Sequence, residues 1–534
     1  MSGLDAAGSG GLDPAGLSVL IAKLSGVADE MGAVLRRGAF SPNIKERADC
    51  SAAVFGPGGE MLAQAEHIPV HLGSMPASVA AVIDALGELD PGQQAVVNDP
   101  FAGGTHLNDI TVVAPCWSNG RLVGWVANRA HHADVGGSAP GSMPADATEI
   151  FSEGLRLPPV LLTDEVRALL LANSRTPQER AGDLDAQRGA NAVGVARFAA
   201  LAGAPFDEVV AYGERRARAA IAAFPDGEWT AEDQLDSTGA AAEQQRPALV
   251  RCTLRVRGDE VEFDFTGSAA QRRGNTNAVR AVTVSAVVFA LRSVVDPGLP
   301  ANAGAMAPVT VRTEPGTVVD ARYPAAVGAG NVEVSQRVAD VAALALSLAD
   351  PRSVPAASQG TMNNLLVGGD SPTGRWVYYE TVGGGQGGRP PRPDVPGSVA
   401  MPGMSGVHTA MTNTLNTPIE ALEREFPMRV LRYRLRRGSG GAGSAPGGEG
   451  IERDLQVLVD ATVSLITERR ISQPWGLAGG GPGAAGENWL LPGGDEARAE
   501  RLLDKCTVQL KAGDVLRMLT PGGGGWGLTD LDTV

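Results

Sequence analysis

Hydrophobic positions in the first 225 residues recur mainly at helical spacing. This pattern predicts amphipathic helices over residues 17–35, 76–86 and 207–224. The segment Thr176-Pro177-Gln178-Glu179 combines a capping residue, a proline in the first turn and a glutamate three residues after the cap. It predicts the start of a further helix, which continues to about residue 201.

Segments with strand-like patterns lie between and after these helices. Three segments rich in β-forming residues predict strands: 96–98, 110–117 and 122–128. Asn119-Gly120, between the last two, is a strong hairpin turn. Apolar and polar residues alternate on both sides of Gly258-Asp259, which predicts another hairpin with one buried face.

Together these elements predict an α+β fold of mixed helices and antiparallel strands. A boundary near residue 245 separates an N-terminal α+β part, 15–245, from a glycine-rich, β-dominated C-terminal part, 246–534. Within the second part we expect one helix at 334–348 and an exposed loop at 390–402. The small, glycine-rich residues 1–14 predict a flexible leader.

Composition and charge exclude several classes of protein. A net charge of −15 argues against nucleic acid as the main partner. No apolar run is long enough to span a bilayer, and the N-terminus lacks the features of a secretory signal. The four cysteines are far apart in sequence, as expected for reduced thiols in a cytoplasmic protein. None of the four lysines follows a glycine-rich turn, so the chain lacks an obvious triphosphate-binding loop.

The histidines are concentrated in one region. Five of the six lie between positions 67 and 132, close to two aspartates: His67, His71, His106, His131 and His132, with Asp109 and Asp134. Imidazole nitrogen and carboxylate oxygen suit zinc, manganese or iron, so the N-terminal part is the predicted metal-bearing one. The alternative is a pair of hydrogen-bonded loops without a metal.

The predicted hairpin tests whether these segments meet. If Asn119-Gly120 is a two-residue loop, Asn108 faces His131 and Asp109 faces Ala130, with opposed Cβ atoms about 5 Å apart. In that strict register His132 shares a face with Asp109, whereas a bulge would bring His131 there instead. The register therefore predicts proximity and leaves the choice of histidine open.

At these motifs the sequence resembles the hydantoinase B/oxoprolinase family. The resemblance extends from about residue 17 to 527, with the motifs in the family's order: ERADCSAAVF, HIPVHLGSMPAS, NDPFAGGTHLNDITVVAP, ANRAHHADVGGSAPGS, EGLRLPPV, YPAAVGAGNVEVSQRVADV, YYETVGGGQGG, MTNTLNTPIEALE and TPGGGGWG. One departure is the segment PGMSGVH before His408, where family members commonly carry an Asp-Gly pair.

The resemblance implies a subunit of a hetero-oligomeric, ATP-dependent enzyme that acts on a small cyclic amide. A hydantoinase A-type partner would use ATP to phosphorylate the substrate carbonyl oxygen. This chain would hold one divalent metal on His106, Asp109 and His131, with His132 and Asp134 beside these ligands. The family pattern thus prefers His131 and implies an offset in the hairpin register.

The expected function is ring opening of a hydantoin, 5-oxoproline or lactam by metal-bound water. We expect His132, His71 or Asp49 to transfer the proton, and His67, His408 and Glu153 to bind substrate. Two alternatives remain: a subunit of a ketone carboxylase of the acetone or acetophenone type, and a non-catalytic scaffold for the ATP-binding partner.

Overall fold

A computed structural model describes residues 12–65, 68–239, 241–372, 374–392 and 395–529. Most of the predicted leader lies outside these residues. The helices are α1 Pro14–Gly38, α2 Pro42–Lys45, α3 Ser74–Leu86, α4 Asp164–Asn173, α5 Pro177–Ala199, α6 Phe206–Ile221, α7 Arg280–Val294, α8 Ala303–Met306, α9 Ser335–Ala349 and α10 Ile419–Glu425.

The strands follow the same chain order. They are β1 Cys50–Phe55, β2 Met61–Ala65, β3 Ala95–Val97, β4 Asp109–Ser118, β5 Arg121–His131, β6 Val160–Leu161, β7 Gly227–Leu235, β8 Ala248–Arg257, β9 Glu260–Asp264, β10 Val309–Arg312, β11 Asn364–Ser371, β12 Gly374–Glu380, β13 Met428–Arg436, β14 Gly450–Val457, β15 Ala461–Ile466, β16 Glu487–Leu491, β17 Glu500–Leu502, β18 Lys505–Leu510 and β19 Val515–Leu519.

The described strands form four sheets. The first has six strands in the order β2-β1-β5-β4-β3-β6, and the second has four in the order β10-β9-β8-β7. The C-terminal sheets have the orders β12-β11-β15-β18 and β13-β14-β19-β16-β17. Among the strand pairs described, β9 with β10 is parallel and the others are antiparallel. The α+β prediction is confirmed.

The predicted helices of the N-terminal part are all present. The start of α1 has a clear cause, because the side chain of Asp13 accepts a hydrogen bond from the backbone N–H of Gly16 and Pro14 occupies the first turn. The helix predicted at 334–348 is α9. Helix α7 was not predicted, since its valine-rich sequence has no polar stripe from which a helical period could be read.

Sheet pairing crosses the predicted boundary near residue 245. Strand β7 lies before that boundary and pairs along its whole length with β8, which lies after it. The hairpin predicted around Gly258-Asp259 is β8 with β9. In the predicted loop at 390–402, the described residues form no helix or strand longer than one isolated bridge residue.

A β-bulge decides the register of the hairpin β4–β5. Next to the turn, Ser118 pairs with Arg121 and Trp117 with Leu122, as a two-residue loop requires. The register then shifts by one residue, so Cys116 pairs with Gly124 and Asp109 pairs with His131. The strict-register prediction, in which Asp109 faces Ala130, was wrong because it did not include this extra residue.

Although the sequence predicts no membrane span, one helical stretch among the described residues has the length and composition of one. Pro69–Leu86 has a mean hydropathy of 1.2 over 18 residues, and 44% of it is buried inside the protein. Core helices of soluble proteins meet the same criteria. Its residues Ser74 and Ser78 accept hydrogen bonds from the buried Arg129 on β5, as a helix packed on its own sheet does.

Gly124, next to the bulge, packs so closely on β1 that we expect substitution by alanine to destabilise the protein. A Cβ atom there would lie 2.1 Å from the backbone oxygen of Phe55, so we expect Gly124→Ala to lower the free energy of unfolding by about 1–3 kcal/mol. Gly26 lies on the exposed face of α1 with nothing within 4 Å of an added Cβ, so Gly26→Ala should raise stability by about 0.5–1 kcal/mol. Thermal unfolding of the two variants beside wild type checks both signs; a wild-type midpoint for Gly124→Ala would contradict the close packing.

Candidate metal centre

Three predicted residues meet at the end of the β4–β5 hairpin. Asp109 is the first residue of β4 and His131 the last of β5, so their pairing places both at the same end of the sheet. His106 lies in the loop that leads into β4. That loop packs closely on α3 at Gly103, where a Cβ would lie 2.4 Å from the backbone of Ala77, so the turn requires glycine.

The potential ligand atoms of these residues lie within 4.8 Å of one another. The Oδ1 atom of Asp109 is 3.3 Å from His106 Nε2 and 3.3 Å from His131 Nδ1. The two imidazole nitrogens are 3.0 Å apart. Each of the three residues is at most 2% exposed.

This arrangement fits a divalent cation. Although two nitrogens face it, Asp109 Oδ1 has no hydrogen-bond partner in the described structure. A buried carboxylate oxygen without a partner is costly, whereas two imidazoles and one carboxylate directed at one point form a common donor set for zinc, manganese and iron. The residues therefore fit the predicted metal.

The other carboxylate oxygen is held by the protein. Asp109 Oδ2 accepts hydrogen bonds from Thr105 Oγ1 at 2.5 Å and from Asn331 Nδ2 at 3.3 Å. His71 Nε2 lies 3.4 Å from the same oxygen, and its Nδ1 is 2.9 Å from the hydroxyl of Ser51. These contacts fix the carboxylate and leave Oδ1 directed at the two imidazoles.

The protonation states suit metal binding. Burial by itself raises the pKa of Asp109, but the charge of His106 and the contacts with His106, His131 and His71 outweigh it, and this pKa lies well below its usual range. Burial lowers the pKa of His131 to about 3 and also lowers the pKa of His71. An ionised Asp109 and a neutral His131 are the forms in which these two side chains bind a metal.

A small cavity of about 20 Å³ adjoins these residues, which is enough space for about one water molecule. Its polar walls combine the histidine and aspartate side chains with Asn331 and three threonines, Thr381, Thr412 and Thr414; its apolar walls are Ile68, Val70, Val332, Met362 and Tyr379. The three hydroxyls come from the C-terminal part of the chain. Both halves of the sequence therefore build the cavity.

Two of the predicted catalytic residues, Asp49 and His71, line this cavity. Burial raises the pKa of Asp49 to about 7, with Arg47 lowering this pKa and Asp109 raising it further. The backbone of Asp49 is also hydrogen-bonded to the end of β5, because its carbonyl oxygen accepts from the N–H of His131 at 3.1 Å.

His408 contacts two of the threonines that line the cavity. Its Nδ1 atom is 3.3 Å from the hydroxyls of both Thr412 and Thr414, and its Nε2 atom is 3.0 Å from Asn416 Oδ1. Burial lowers the pKa of His408 to about 4, so the ring is neutral at pH 7. His408 therefore contacts two threonines that line the cavity, and its role in substrate binding stays a prediction.

Three further residues of the prediction, His132, Glu153 and Asp134, have their contacts outside the cavity. His132 Nε2 is 2.9 Å from Gln187 Oε1 on α5, and Glu153 accepts hydrogen bonds from the backbone N–H groups of Val327 and Gly328. Neither lines the cavity among the described residues. Asp134 forms an ion pair with Arg175 at 2.9 Å, and His67 lies outside the described residues.

Sequence reasoning missed Asn331 and Tyr379. Asn331 belongs to a π-helical turn, Gly330–Val334, immediately before α9, and its Oδ1 atom has no hydrogen-bond partner in the described structure. Both residues fall in segments that carry the family resemblance, GAGNVEVSQ and YYETVGGG. That was the only sequence signal, because asparagine and tyrosine do not by themselves indicate a metal site.

Comparison with known proteins identifies the family. The hydantoinase B/oxoprolinase family model matches residues 13–529. The chain belongs to the hydantoinase B/oxoprolinase family. This hydantoinase B chain is 36% identical to 5-oxoprolinase 1 of Arabidopsis thaliana, with 96% of the chain and 41% of that protein covered. It therefore spans about two fifths of the length of that relative.

Two further relatives match nearly end to end. The putative B-type subunit of a D-/L-hydantoinase from a Pseudomonas species is 28% identical, with 97% of the chain and 90% of that protein covered. The crystal structure of an ATP-dependent caprolactamase from Pseudomonas jessenii superposes with a TM-score of 0.87 at 27% identity, covering 97% of this chain and 92% of that one. The chain thus shares its fold with an ATP-dependent caprolactamase.

The adjacent histidines provide a matched test of the site. We expect His131→Ala, like His106→Ala and Asp109→Ala, to abolish binding of one divalent metal per chain, because each removes one of three converging donors. His132→Ala should keep the metal, since the His132 ring contacts Gln187 instead. Metal analysis of the purified proteins after equilibration with zinc, manganese or iron measures this. Equal metal contents in His131→Ala and His132→Ala would rule out His131 as a metal ligand.

Proposed function

We propose that this hydantoinase B chain is the metal-carrying catalytic subunit of an ATP-dependent cyclic-amide hydrolase. The observation that carries the proposal is the buried cluster of His106, Asp109 and His131 at one wall of a small cavity. Its substrate would be a hydantoin, 5-oxoproline or lactam ring. The identified family and the caprolactamase fold support this reaction class.

The proposal requires an ATP-binding partner of the hydantoinase A type. The sequence has no glycine-rich turn followed by lysine, and the family resemblance assigns the use of ATP to a hydantoinase A-type partner. A relative of nearly the same length is named as one subunit of a hydantoinase, and the 5-oxoprolinase relative is more than twice as long as this chain. We infer a hetero-oligomer. A cytoplasmic location is part of the same proposal, because all four cysteines are free and buried.

Partner and site would divide the reaction between them. An unactivated cyclic amide resists hydrolysis because its carbonyl carbon is a weak electrophile, and phosphorylation of the carbonyl oxygen would make that carbon attackable. Water would add to the carbon, and the ring C–N bond would break as a proton passes to the nitrogen. A second water would then hydrolyse the remaining acyl phosphate to the carboxylate and inorganic phosphate. A divalent cation on the three ligands would supply a Lewis acid that makes water a nucleophile at neutral pH. Thr105 and Asn331 hold the carboxylate of Asp109 in the position this requires.

The remaining cavity residues would bind the ring and transfer the proton, and the cavity of about 20 Å³ would have to widen to admit the ring. Thr381, Thr412 and Thr414 offer hydroxyls that can accept or donate to a ring amide, each such hydrogen bond contributing about 0.5–1.5 kcal/mol. Asp49 and His71 line the same space, within reach of an attacking water. Its apolar walls, such as Val70 and Met362, exclude bulk water from the reacting atoms. His132 is left out of this proposal because its ring lies against α5.

Activity of the reconstituted complex tests the proposal. With the ATP-binding partner and a panel of hydantoin, 5-oxoproline and caprolactam, we expect Asp109→Asn to lower ring opening at least about a hundredfold. ATP hydrolysis by the partner should survive in part, because the substituted residue lies in this chain. The control is Asp185→Asn, which removes a surface carboxylate that is 57% exposed.

Three outcomes would overturn the proposal. Ring opening at wild-type rate by Asp109→Asn would show that the cluster is not catalytic. A product that retains label from bicarbonate would indicate a carboxylase instead. Full activity of the complex after complete removal of metal would leave this chain as a scaffold for its partner.

A further inference from the structure

The ring of Tyr379 lies flat against the imidazole of His131. The two ring centroids are 4.3 Å apart and the planes differ by 15°. Tyr379 is on β12, in the C-terminal part of the chain, and only 4% of it is exposed. A side chain that is distant in sequence therefore covers one face of a candidate metal ligand.

His131 lacks the contact that usually orients a metal-binding histidine. Such an imidazole commonly donates its second ring N–H to a carboxylate or carbonyl, which fixes the plane of the ring. In the described structure the second nitrogen of His131, Nε2, has no hydrogen-bond partner. Asn43 donates to the backbone oxygen of His131 at 2.9 Å, which fixes the main chain but does not set the rotation of the ring. Besides the contacts of His131 Nδ1 with His106 and Asp109, the groups that pack on the face of the ring are left to hold its plane.

Tyr379 is itself rigidly held. Its hydroxyl donates to Asn364 Oδ1 at 3.0 Å, and Asn364 Nδ2 donates to Glu333 Oε1 at 2.9 Å. Glu333 belongs to the same π-helical turn as Asn331, the residue that donates to Asp109. Arg47 donates to the backbone oxygen of Tyr379 at 2.6 Å, and its guanidinium carbon lies 5.0 Å from the ring centroid.

We propose that Tyr379 is a positioning residue that sets the plane of His131, so that Nδ1 faces Asp109 and a bound cation. This inference rests on the proposed metal site. Stacking replaces the missing hydrogen bond to His131 Nε2, and the chain from Tyr379 through Asn364 to Glu333 fixes the stacking ring. The same π-helical turn thereby orients two ligands, Asp109 through Asn331 and His131 through Tyr379.

The neighbouring Tyr378 is a matched control. It is also buried, with 2% exposed, and lies on the opposite face of the same strand. Its hydroxyl donates to Glu380 at 2.6 Å, and its ring packs against Phe426 with a centroid distance of 4.9 Å. A purely structural role for Tyr379 would make the two tyrosines equivalent in every assay of the metal.

The experiment is a titration of metal-free protein with cobalt(II), followed by its absorption spectrum, in Tyr379→Leu, Tyr379→Phe, Tyr378→Leu and Tyr378→Phe. We expect Tyr379→Leu to weaken cobalt binding about 10–100-fold, as loss of a group that orients a ligand does. Tyr379→Phe keeps the ring and loses its anchor, so it should weaken binding less and shift the spectrum. Both Tyr378 variants should bind cobalt like wild type, even where their thermal midpoints fall.

The outcomes separate this inference from the proposed function. Wild-type affinity and spectrum in Tyr379→Leu, or an equal loss in Tyr378→Leu, would overturn the positioning role while the metal site stands. If Tyr379→Leu does not fold, Tyr379→Phe decides, and a wild-type spectrum with wild-type affinity would overturn it. A wild-type protein that binds no cobalt, zinc or manganese would remove the metal site itself and this inference with it.

Discussion

The pairing of Asp109 with His131 across β4 and β5 is the contact on which the candidate centre depends. It exists because a bulge next to the turn shifts the register by one residue. Side chains alternate between the faces of a strand, so a shift of one residue exchanges the histidine that shares a face with the carboxylate. His131 then faces the cavity and His132 faces α5. A local irregularity about eight residues away thus decides which histidine faces Asp109.

Residues of the C-terminal part form the rest of the cavity beside the β4–β5 hairpin. Asn331 holds one oxygen of Asp109, Tyr379 covers His131, and three threonines form the wall in front of His408. These residues come from a π-helical turn, a strand and a loop that lie 200 or more residues after His106, Asp109 and His131 in sequence. The cavity is therefore a product of the whole chain.

Buried ion pairs connect these segments, which are distant in sequence. Arg337 on α9 forms ion pairs with Asp233 on β7 and with Glu468 after β15, and Glu468 also pairs with Lys505 on β18 at 2.6 Å. Removal of one partner from such a buried pair typically costs about 3–5 kcal/mol, because the other charge is left without compensation. The network joins the second sheet, α9 and a C-terminal sheet. Helix α9 directly follows the π-helical turn that supplies Asn331 and Glu333.

The sequence alone determined the α+β class, most N-terminal helices, both hairpins and the close approach of His106, Asp109 and His131. Each of these follows from local rules, such as helical spacing around 17–35 or the turn preference of Asn119-Gly120, and from motifs that carry the family resemblance. Helix α7 was missed because a valine-rich helix without a polar stripe has no readable period. The hairpin pattern left open which histidine faces the carboxylate, the family resemblance preferred His131, and the bulge places His131 opposite Asp109. Tertiary structure alone decided that Glu153 binds backbone rather than lining the cavity, and that Tyr379 and Asn331 contact His131 and Asp109. The reason is physical: register irregularities and contacts between residues hundreds of positions apart depend on how the sheets and helices pack, and the local pattern of the chain does not encode that packing.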